Sequence, residues 1–369
     1  MSKLLEVKGL KTHFHMHGYT VRAVDGVDFD LSTGETLGIV GESGCGKSQT
    51  SMSIMRLIPD PPGRIEAGEV LLDGTDLLKI SEPQMRAIRG NRISMIFQEP
   101  MTSLNPVFSI GYQISEVLML HREMTQEDAL EESARLLDLV GISDPAERLN
   151  EYPFQLSGGL RQRVMIAIAM ACEPDIMIAD EPTTALDVTI QAQILRLMAE
   201  LKERTGTSIM FITHDLAVIA GFSDRVMVMY AGVVVEQAPV REIFRRPLHP
   251  YTQGLLGSIP VLGEVKKNTD GSRRLLNAIP GVLPDHRNFP RGCRFAPRCK
   301  SVMARCWEAE PALVEADDHQ IRCFLHSDEV QPPPETPTAT EREASGHRRK
   351  VRGTATAKST SGASAGESR

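Results

Sequence analysis

The sequence predicts an α/β fold organised around a phosphate-binding loop. The eight residues Gly41 to Ser48, GESGCGKS, match the pattern G-x-x-x-x-G-K-[ST]. They follow the apolar run Leu37 to Val40 and precede a segment from Gln49 to Leu57 that can continue as a helix, which is the context that this pattern requires. Two further apolar runs, Ile176 to Ala179 and Ser208 to Thr213, end in polar residues, so we expect buried strands that deliver side chains to one edge of a sheet.

The loop composition indicates a triphosphate ligand. Its glycines let the backbone turn tightly and approach a ligand without an obstructing Cβ. Successive N–H groups then form an anion nest at the positive end of the following helix. Lys47 is predicted to reach the β- and γ-phosphates, and the Ser48 hydroxyl to ligate Mg²⁺. The predicted nucleotide contacts of this segment are Gly41, Ser43, Gly44, Cys45, Gly46, Lys47, Ser48 and Gln49.

Charge and composition narrow the function classes. The chain has a net charge of −7, so it lacks the excess of basic residues that nucleic-acid-binding proteins usually carry. Met1 to Leu10 contains no signal-peptide apolar region, and the charge-free run Val226 to Val235 is about half of a membrane span. We therefore expect a soluble chain in a reducing compartment, where its six cysteines suit metal ligation better than disulfides.

The first hundred residues are predicted to form strands. Alternating or apolar patterns and adjacent turns mark four segments: Leu4–Leu10, Val27–Leu31, Glu69–Leu72 and Ile93–Phe97. Gln98 directly follows the last of these segments.

From about Glu99 to Cys172 the pattern becomes helical. Thr125 opens one helix with a capping-box sequence, and Gly141 is a stop signal for it. Ser157 suits the N-cap of a second helix, and the glycines at 158 and 159 leave N–H groups exposed at its entrance. A helix start of this kind favours an anion, whereas a plain capping motif would explain the serine but not two glycines.

Acidic residues follow the predicted strand at Ile176 to Ala179. Adjacent carboxylates at the tip of a buried strand are unfavourable unless a cation or a catalytic task engages them; a solvated acidic turn is the alternative. Asp180 fits the Mg²⁺-coordinating aspartate of P-loop enzymes. Glu181 points to the opposite face, where it could polarise a water molecule. His214 follows the strand Ser208 to Thr213 and reaches the same edge, so a site role is favoured over a structural one.

This set of motifs, over residues 4–245, resembles the ATP-binding subunit of ABC transporters. The resemblance rests on the loop Gly41–Ser48, Gln98, Leu156–Arg163, Asp180-Glu181, Thr184–Asp187 and His214, in the standard order. It implies a nucleotide-binding domain at residues 1–245: a P-loop core, an antiparallel β subdomain and an α-helical subdomain at about 99–172. Cys45 and Leu160 depart from residues that are frequent in the family, but neither removes a group needed for chemistry.

The resemblance also implies roles within one subunit. Phe14 looks like the aromatic residue that stacks on adenine, with Tyr19 as the alternative. Gln98 looks like the residue that senses the γ-phosphate and Mg²⁺. Glu181 resembles the catalytic carboxylate, and His214 the γ-phosphate switch.

Other implied roles cross a dimer of nucleotide-binding domains. Ser157, Gly158 and Gly159 would contact the nucleotide held by the opposite subunit, and Asp187 would link the two sites. ATP would then join the two domains, and its hydrolysis would release them.

The C-terminal segments Pro247–Leu256 and Ile279–Gly281 are similar to those of oligopeptide and dipeptide importer ATPases. This similarity implies a second ATPase subunit, two membrane permease subunits and an extracytoplasmic solute-binding protein, with this chain at the cytoplasmic face of the membrane. Dipeptides, longer peptides, glutathione and nickel complexes are all possible solutes. The alternative is a soluble ABC ATPase of DNA repair or translation, although such proteins generally carry two cassettes or long insertions.

Four cysteines fall in the predicted C-terminal domain at 246–326: Cys293, Cys299, Cys306 and Cys323. Their spacing, C-x₅-C-x₆-C-x₁₆-C, is not that of a zinc ribbon. By resemblance to some dipeptide importer ATPases we expect a 4Fe–4S cluster, with structural zinc or unliganded thiols as alternatives. Residues 327–369 are rich in small and polar residues, and are predicted to be a disordered tail.

Overall fold

The computed structural model describes residues 3–98, 103–184, 186–259 and 278–331. In chain order its strands and α-helices are β1 (Lys3–Met16), β2 (Tyr19–Ser32), β3 (Thr36–Val40), α1 (Lys47–Ile54), β4 (Gly63–Leu72), β5 (Thr75–Asp76), α2 (Glu82–Ile88), β6 (Ile93–Ile96), α3 (Ile110–Arg122), α4 (Gln126–Leu139), α5 (Pro145–Arg148), α6 (Gly158–Met170), β7 (Ile176–Asp180), α7 (Val188–Thr205), β8 (Ser208–Ile212), α8 (Leu216–Phe222), β9 (Arg225–Tyr230), β10 (Val233–Pro239), α9 (Val240–Arg245), α10 (Pro250–Gly257), α11 (Arg305–Glu308), β11 (Val314–Ala316) and β12 (His319–Ile321).

An antiparallel sheet of order β2-β1-β4-β5 forms the N-terminal part. Two long strands, β1 and β2, pair as a hairpin ribbon. The predicted strands at Leu4–Leu10 and Val27–Leu31 are the halves of β1 and β2 that lie away from the hairpin turn. Leu5 and Val7 are buried in the ribbon, as alternation predicts, and Leu10 is buried because a bulge after Val7 shifts the alternation. The half of β1 next to the hairpin turn is polar and more exposed, which is why the apolar pattern alone underestimates the length of this strand.

An eight-stranded sheet of order β11-β12-β10-β9-β3-β8-β7-β6 carries the predicted site. The run β9-β3-β8-β7-β6 is parallel, and β3, β7 and β8 are buried along their whole length. Continuous burial explains why these strands are apolar runs and not alternating ones. Because the strands are parallel, the segments after Val40, Ile96, Ala179 and Ile212 emerge at one edge, where ligands bind in open α/β sheets.

Helices α3, α4 and α6 lie between β6 and β7 in the chain and contact one another. Thr125 caps α4 by accepting the Asp128 N–H at 3.2 Å, which confirms the predicted helix start. Leu137 and Val140 are buried, and the chain leaves the helix at Gly141 with φ +74°. Glu99 to Thr102, the beginning of the predicted helical region, lie outside the described residues.

The C-terminal region continues the central sheet, because β12 pairs with β10 and β11 with β12. The compact unit extends to Gln331. The Ala312 N–H donates to Glu329 O at 3.0 Å, and the Gln331 N–H donates to Glu310 O at 2.9 Å. The ordered chain therefore continues to Gln331, slightly beyond the predicted start of the disordered tail at about Ser327, and the rest of that tail lies outside the described residues.

Within the described part of the chain, no helix has both the length and the apolar content that crossing a bilayer requires.

Candidate nucleotide-binding site

The loop from Gly41 to Ser48 leaves β3 and leads into α1. Gly41 has φ +155°, and a Cβ there would lie 2.2 Å from Met229 O. Gly46 has φ +109°, and a Cβ there would lie 2.4 Å from Ala23 O. Both contacts are impossible for a real side chain, so the backbone path of the loop requires glycine at these two positions. Ser43 and Gly44 are exposed at its mouth.

Lys47 folds back along the loop. Its ammonium group donates to Gly41 O at 2.8 Å and to Glu42 O at 3.2 Å, and the residue is buried. The Cys45 side chain lies beneath the loop and is fully buried, and this burial raises the pKa of its thiol. Cys45 is therefore a neutral packing residue that can offer the nucleotide only its backbone.

Asp180, the last residue of β7, faces the start of α1. Its carboxyl interacts with the Ser48 side chain, and its Oδ1 is buried without a hydrogen-bond partner among the described residues. Burial raises the pKa of this carboxyl, and the Ser48 hydrogen bond opposes that rise. An unpaired carboxylate oxygen beside a hydroxyl fits Mg²⁺, which proteins usually bind through one or two carboxylates plus substrate phosphates.

Glu181, the residue after β7, has a carboxylate that three neighbouring side chains contact. Its Oε2 accepts hydrogen bonds from Gln98 Nε2 at 3.2 Å and from Thr184 Oγ1 at 2.9 Å, and its Oε1 lies 3.4 Å from His214 Nδ1. The structure thus brings together the three predicted catalytic residues Gln98, Glu181 and His214. Glu181 also has φ +48°, an unfavourable conformation for a residue with a side chain, which is common at functional sites.

The second predicted anion site lies at the start of α6. Ser157 accepts the Leu160 N–H at 3.4 Å, as an N-cap does, and both Ser157 and Gly158 are exposed. A Cβ at Gly159 would lie 3.0 Å from Ile190 Cγ2, so the α6 entrance packs against the first turn of α7. Asp187 caps α7 by accepting two N–H groups at 3.0 Å. Ala185, which belongs to the same predicted motif Thr184–Asp187, lies outside the described residues.

The two predicted adenine-stacking rings have different environments. Phe14 is half-buried, and packs so closely on Gly63 that a Cβ there would lie 2.8 Å from its ring. Tyr19 is 43% exposed, with the Arg287 guanidinium 5.5 Å from its ring centroid. Both belong to the β1–β2 ribbon, and the choice between them stays a prediction.

The C-terminal region supplies two loop contacts that the motifs do not predict. Tyr251 Oη accepts the Glu42 N–H at 2.9 Å, and the Arg298 guanidinium forms two hydrogen bonds to the Glu42 carboxylate. The sequence gives only a weak signal for them, namely an acidic residue in the second position of the loop.

The four C-terminal cysteines share one neighbourhood. None forms a disulfide, and Cys293 interacts electrostatically with the other three. Burial, reinforced by the neighbouring thiols, raises the pKa of Cys293 to about 12 and that of Cys323 to about 11.

The backbone N–H groups two residues downstream of Cys293, Cys299 and Cys323 partly oppose this rise in the thiol pKa. Such donors stabilise thiolates. Nevertheless, among the described residues no three His, Cys, Asp or Glu side chains are arranged to hold a metal ion. The described geometry is therefore not that of an assembled metal site, and the 4Fe–4S cluster and its zinc alternative stay predictions.

The fold and this site together define a P-loop ATPase of the ATP-binding cassette class. Residues 24–184 match the ABC transporter family, and residues 235–306 match the oligopeptide/dipeptide transporter C-terminal region. The chain is 54% identical over 331 residues to the oligopeptide transport ATP-binding protein AppD of Bacillus subtilis (strain 168), an alignment that covers 89% of this chain and 98% of that protein. The chain therefore belongs to the ABC transporter family, as an ATP-binding subunit with the oligopeptide/dipeptide C-terminal region.

Further relatives agree with this placement. The dipeptide transport ATP-binding protein DppD of the same organism is 50% identical over 332 residues, covering 90% of this chain and 97% of that protein. The dimeric structure of MJ0796, a bacterial ABC transporter cassette, is 28% identical, has a TM-score of 0.58, and covers 64% of this chain and 99% of that chain. The predicted cassette fold and transport-coupled ATPase class are confirmed, and the soluble DNA-repair or translation alternative is not supported.

Proposed function

We propose that this chain hydrolyses ATP to drive the import of dipeptides or oligopeptides, working at the cytoplasmic face of the cell membrane. The observation that carries the proposal is the arrangement at the end of β7, where Asp180 and Glu181 meet the phosphate loop, Gln98 and His214. The class of solute is inferred from the names of the relatives and from the C-terminal region.

Each residue then has a chemical task. The loop N–H groups and Lys47 bind the phosphates, and Asp180, Ser48 and Gln98 hold Mg²⁺, which when bound neutralises the charge that develops on the phosphate oxygens. Glu181 orients the attacking water and accepts its proton. His214 and Gln98 keep the Glu181 carboxylate aimed at that water, since both lie against it.

One chain supplies only half of this chemistry. Its exposed Ser157 and Gly158 are suited to a phosphate that another subunit holds, because they cap a 13-residue helix. ATP would then join two nucleotide-binding domains, and hydrolysis would separate them. We propose a related ATPase as the second subunit, two permeases and an extracytoplasmic binding protein as the remaining partners.

Reconstitution tests this function. The purified complex with its binding protein should show ATP turnover that a di- or oligopeptide stimulates, and Glu181→Gln should abolish the stimulated rate. A chain that purifies without integral membrane proteins, or whose turnover ignores every peptide, would contradict transport. A fully active homodimer would contradict the second, different ATPase subunit.

We also propose that the four cysteines ligate a metal group, with 4Fe–4S first and zinc as the alternative. The proximity of the four thiols supports this proposal, and so do the backbone N–H groups that favour the thiolate form at three of them. Ligation would require these side chains to rearrange, because no metal-holding trio is present among the described residues.

Anaerobic purification of the full chain tests the metal group. Iron, acid-labile sulfide and broad visible absorption should be present, and should be lost in Cys306→Ser but not in the matched control Cys172→Ser. Trp307, the chain's one tryptophan, adjoins Cys306 and should be quenched by a cluster. Stoichiometric zinc without iron would favour the alternative, and the absence of both metals would leave reduced thiols.

A further inference from the structure

We propose that Tyr251 and Arg298, two residues of the C-terminal region, position the phosphate loop of their own chain and thereby set its affinity for ATP. The proposal rests on the assignment of Gly41–Ser48 as the phosphate site. It makes the C-terminal region part of the nucleotide site, in addition to any role in solute transport or metal binding.

A single peptide group of the loop is held from both sides. The carbonyl of Gly41 accepts the Lys47 ammonium at 2.8 Å, and the N–H of the same peptide group, on Glu42, donates to Tyr251 Oη at 2.9 Å. In a planar trans peptide the C=O and N–H point in opposite directions. The two hydrogen bonds therefore fix the rotation of this peptide plane, from which the rest of the loop follows.

Tyr251 is rigidly placed for this contact. It is fully buried, and its ring lies 4.6 Å from that of Tyr230 and 5.4 Å from that of Phe295 between centroids. Its own N–H donates to His249 Nδ1 at 3.0 Å, which caps α10. A hydroxyl held this firmly fixes the atom that it bonds.

Arg298 holds the side chain of the same loop residue. Its Nη1 and Nη2 groups donate to the two Glu42 carboxylate oxygens at 2.6 and 2.9 Å, and only 4% of its side chain is exposed. Its Nε donates to Pro280 O at 2.9 Å, so the guanidinium is itself fixed. A planar fork of this kind has no equivalent in lysine.

These contacts act on binding and not on the chemical step. Glu42 is hydrogen-bonded to the C-terminal region, whereas Glu181, the proposed base, follows the end of a different strand, β7. An anion nest that is already shaped loses less conformational freedom when it binds phosphate. Loss of either contact should therefore raise the Kd for ATP and leave the maximal turnover nearly unchanged.

The test uses the full chain and a non-hydrolysable ATP analogue in an equilibrium titration. We expect Tyr251→Phe to weaken binding about two- to tenfold, the range for one hydrogen bond, and Arg298→Lys to weaken it by at least as much. Glu42→Gln combined with Arg298→Lys should be less than additive, because both changes remove the same contact. If these contacts only stabilised the fold, the variants would lower the melting temperature without this non-additive effect on the Kd for ATP.

Matched controls separate the possible outcomes. Tyr112→Phe, at an exposed position, and Arg305→Lys, where the guanidinium pairs with Asp328 and not with the loop, make the same chemical changes and should leave the Kd unchanged. If Lys47→Ala loses binding while Tyr251→Phe and Arg298→Lys bind normally, the inference fails and the phosphate-site assignment stands. If Lys47→Ala binds normally, the assignment itself fails.

Discussion

Replacing Glu181 by glutamine tests the proposed catalytic base with little disturbance of the structure. Both hydrogen bonds from Gln98 and Thr184 go to Oε2, so the amide oxygen of glutamine can accept them unchanged. The amide nitrogen takes the position of Oε1, which faces His214. The substitution therefore removes the proton acceptor and keeps its anchoring contacts.

The expected loss follows from the role of the residue. A positioned general base contributes about 10²–10⁴-fold to a rate, which corresponds to about 2.7–5.4 kcal/mol of transition-state stabilisation. ATP affinity should stay within about threefold of the original, because the partners of the Glu181 carboxylate among the described residues, Gln98, Thr184 and His214, lie outside the loop.

Two assays on one preparation measure this effect. Phosphate release should fall by the stated factor, while size-exclusion chromatography with ATP should show an accumulating dimer of nucleotide-binding domains. Glu203→Gln, the same chemical change on the exposed face of α7, is the matched control and should hydrolyse ATP normally. Near-normal hydrolysis by Glu181→Gln would remove this residue from the role of base.

Two further predictions concern binding and acid stability. Lys47→Ala should weaken ATP binding about 10- to 150-fold, since a charged hydrogen bond contributes about 1.5–3 kcal/mol; a titration that matches the exposed control Lys79→Ala would contradict this. Burial lowers the pKa of His249 from 6.5 to about 3, so the folded chain loses stability as the pH falls from about 6.5 toward 3, because the unfolded chain binds the proton first. His249→Asn, which can still accept the Tyr251 N–H, should recover up to about 2 kcal/mol at pH 5 in denaturant titrations; an unchanged pH dependence would show that other groups control acid unfolding.

Local patterns predicted the parts of the site that depend on local chemistry. The loop, the Ser157 cap and the acids after β7 each combine a turn or a strand end with a particular residue type, and parallel pairing of buried apolar strands brings them to one edge. Their positions were therefore predictable without knowledge of distant contacts.

Contacts between distant parts of the chain could not be predicted in this way. Tyr251 and Arg298 reach Glu42 across 209 and 256 residues of sequence, and nothing in their own neighbourhoods indicates an acidic partner. The backbone hydrogen bonds that hold residues 329 and 331 are independent of side-chain type, so composition placed the tail too early. The family resemblance indicated that the four cysteines belong together, but their ligand geometry depends on how distant backbone segments fold and could not be predicted from it.

The most direct test of the central claim is a structure of the Glu181→Gln complex with ATP and its partner ATPase. In that structure Ser157 Oγ should lie within hydrogen-bond distance, about 2.7–3.2 Å, of the γ-phosphate that the opposite subunit holds. A bound ATP whose γ-phosphate contacts only its own subunit, with Ser157 turned toward solvent, would contradict the claim that two half-sites close on one nucleotide.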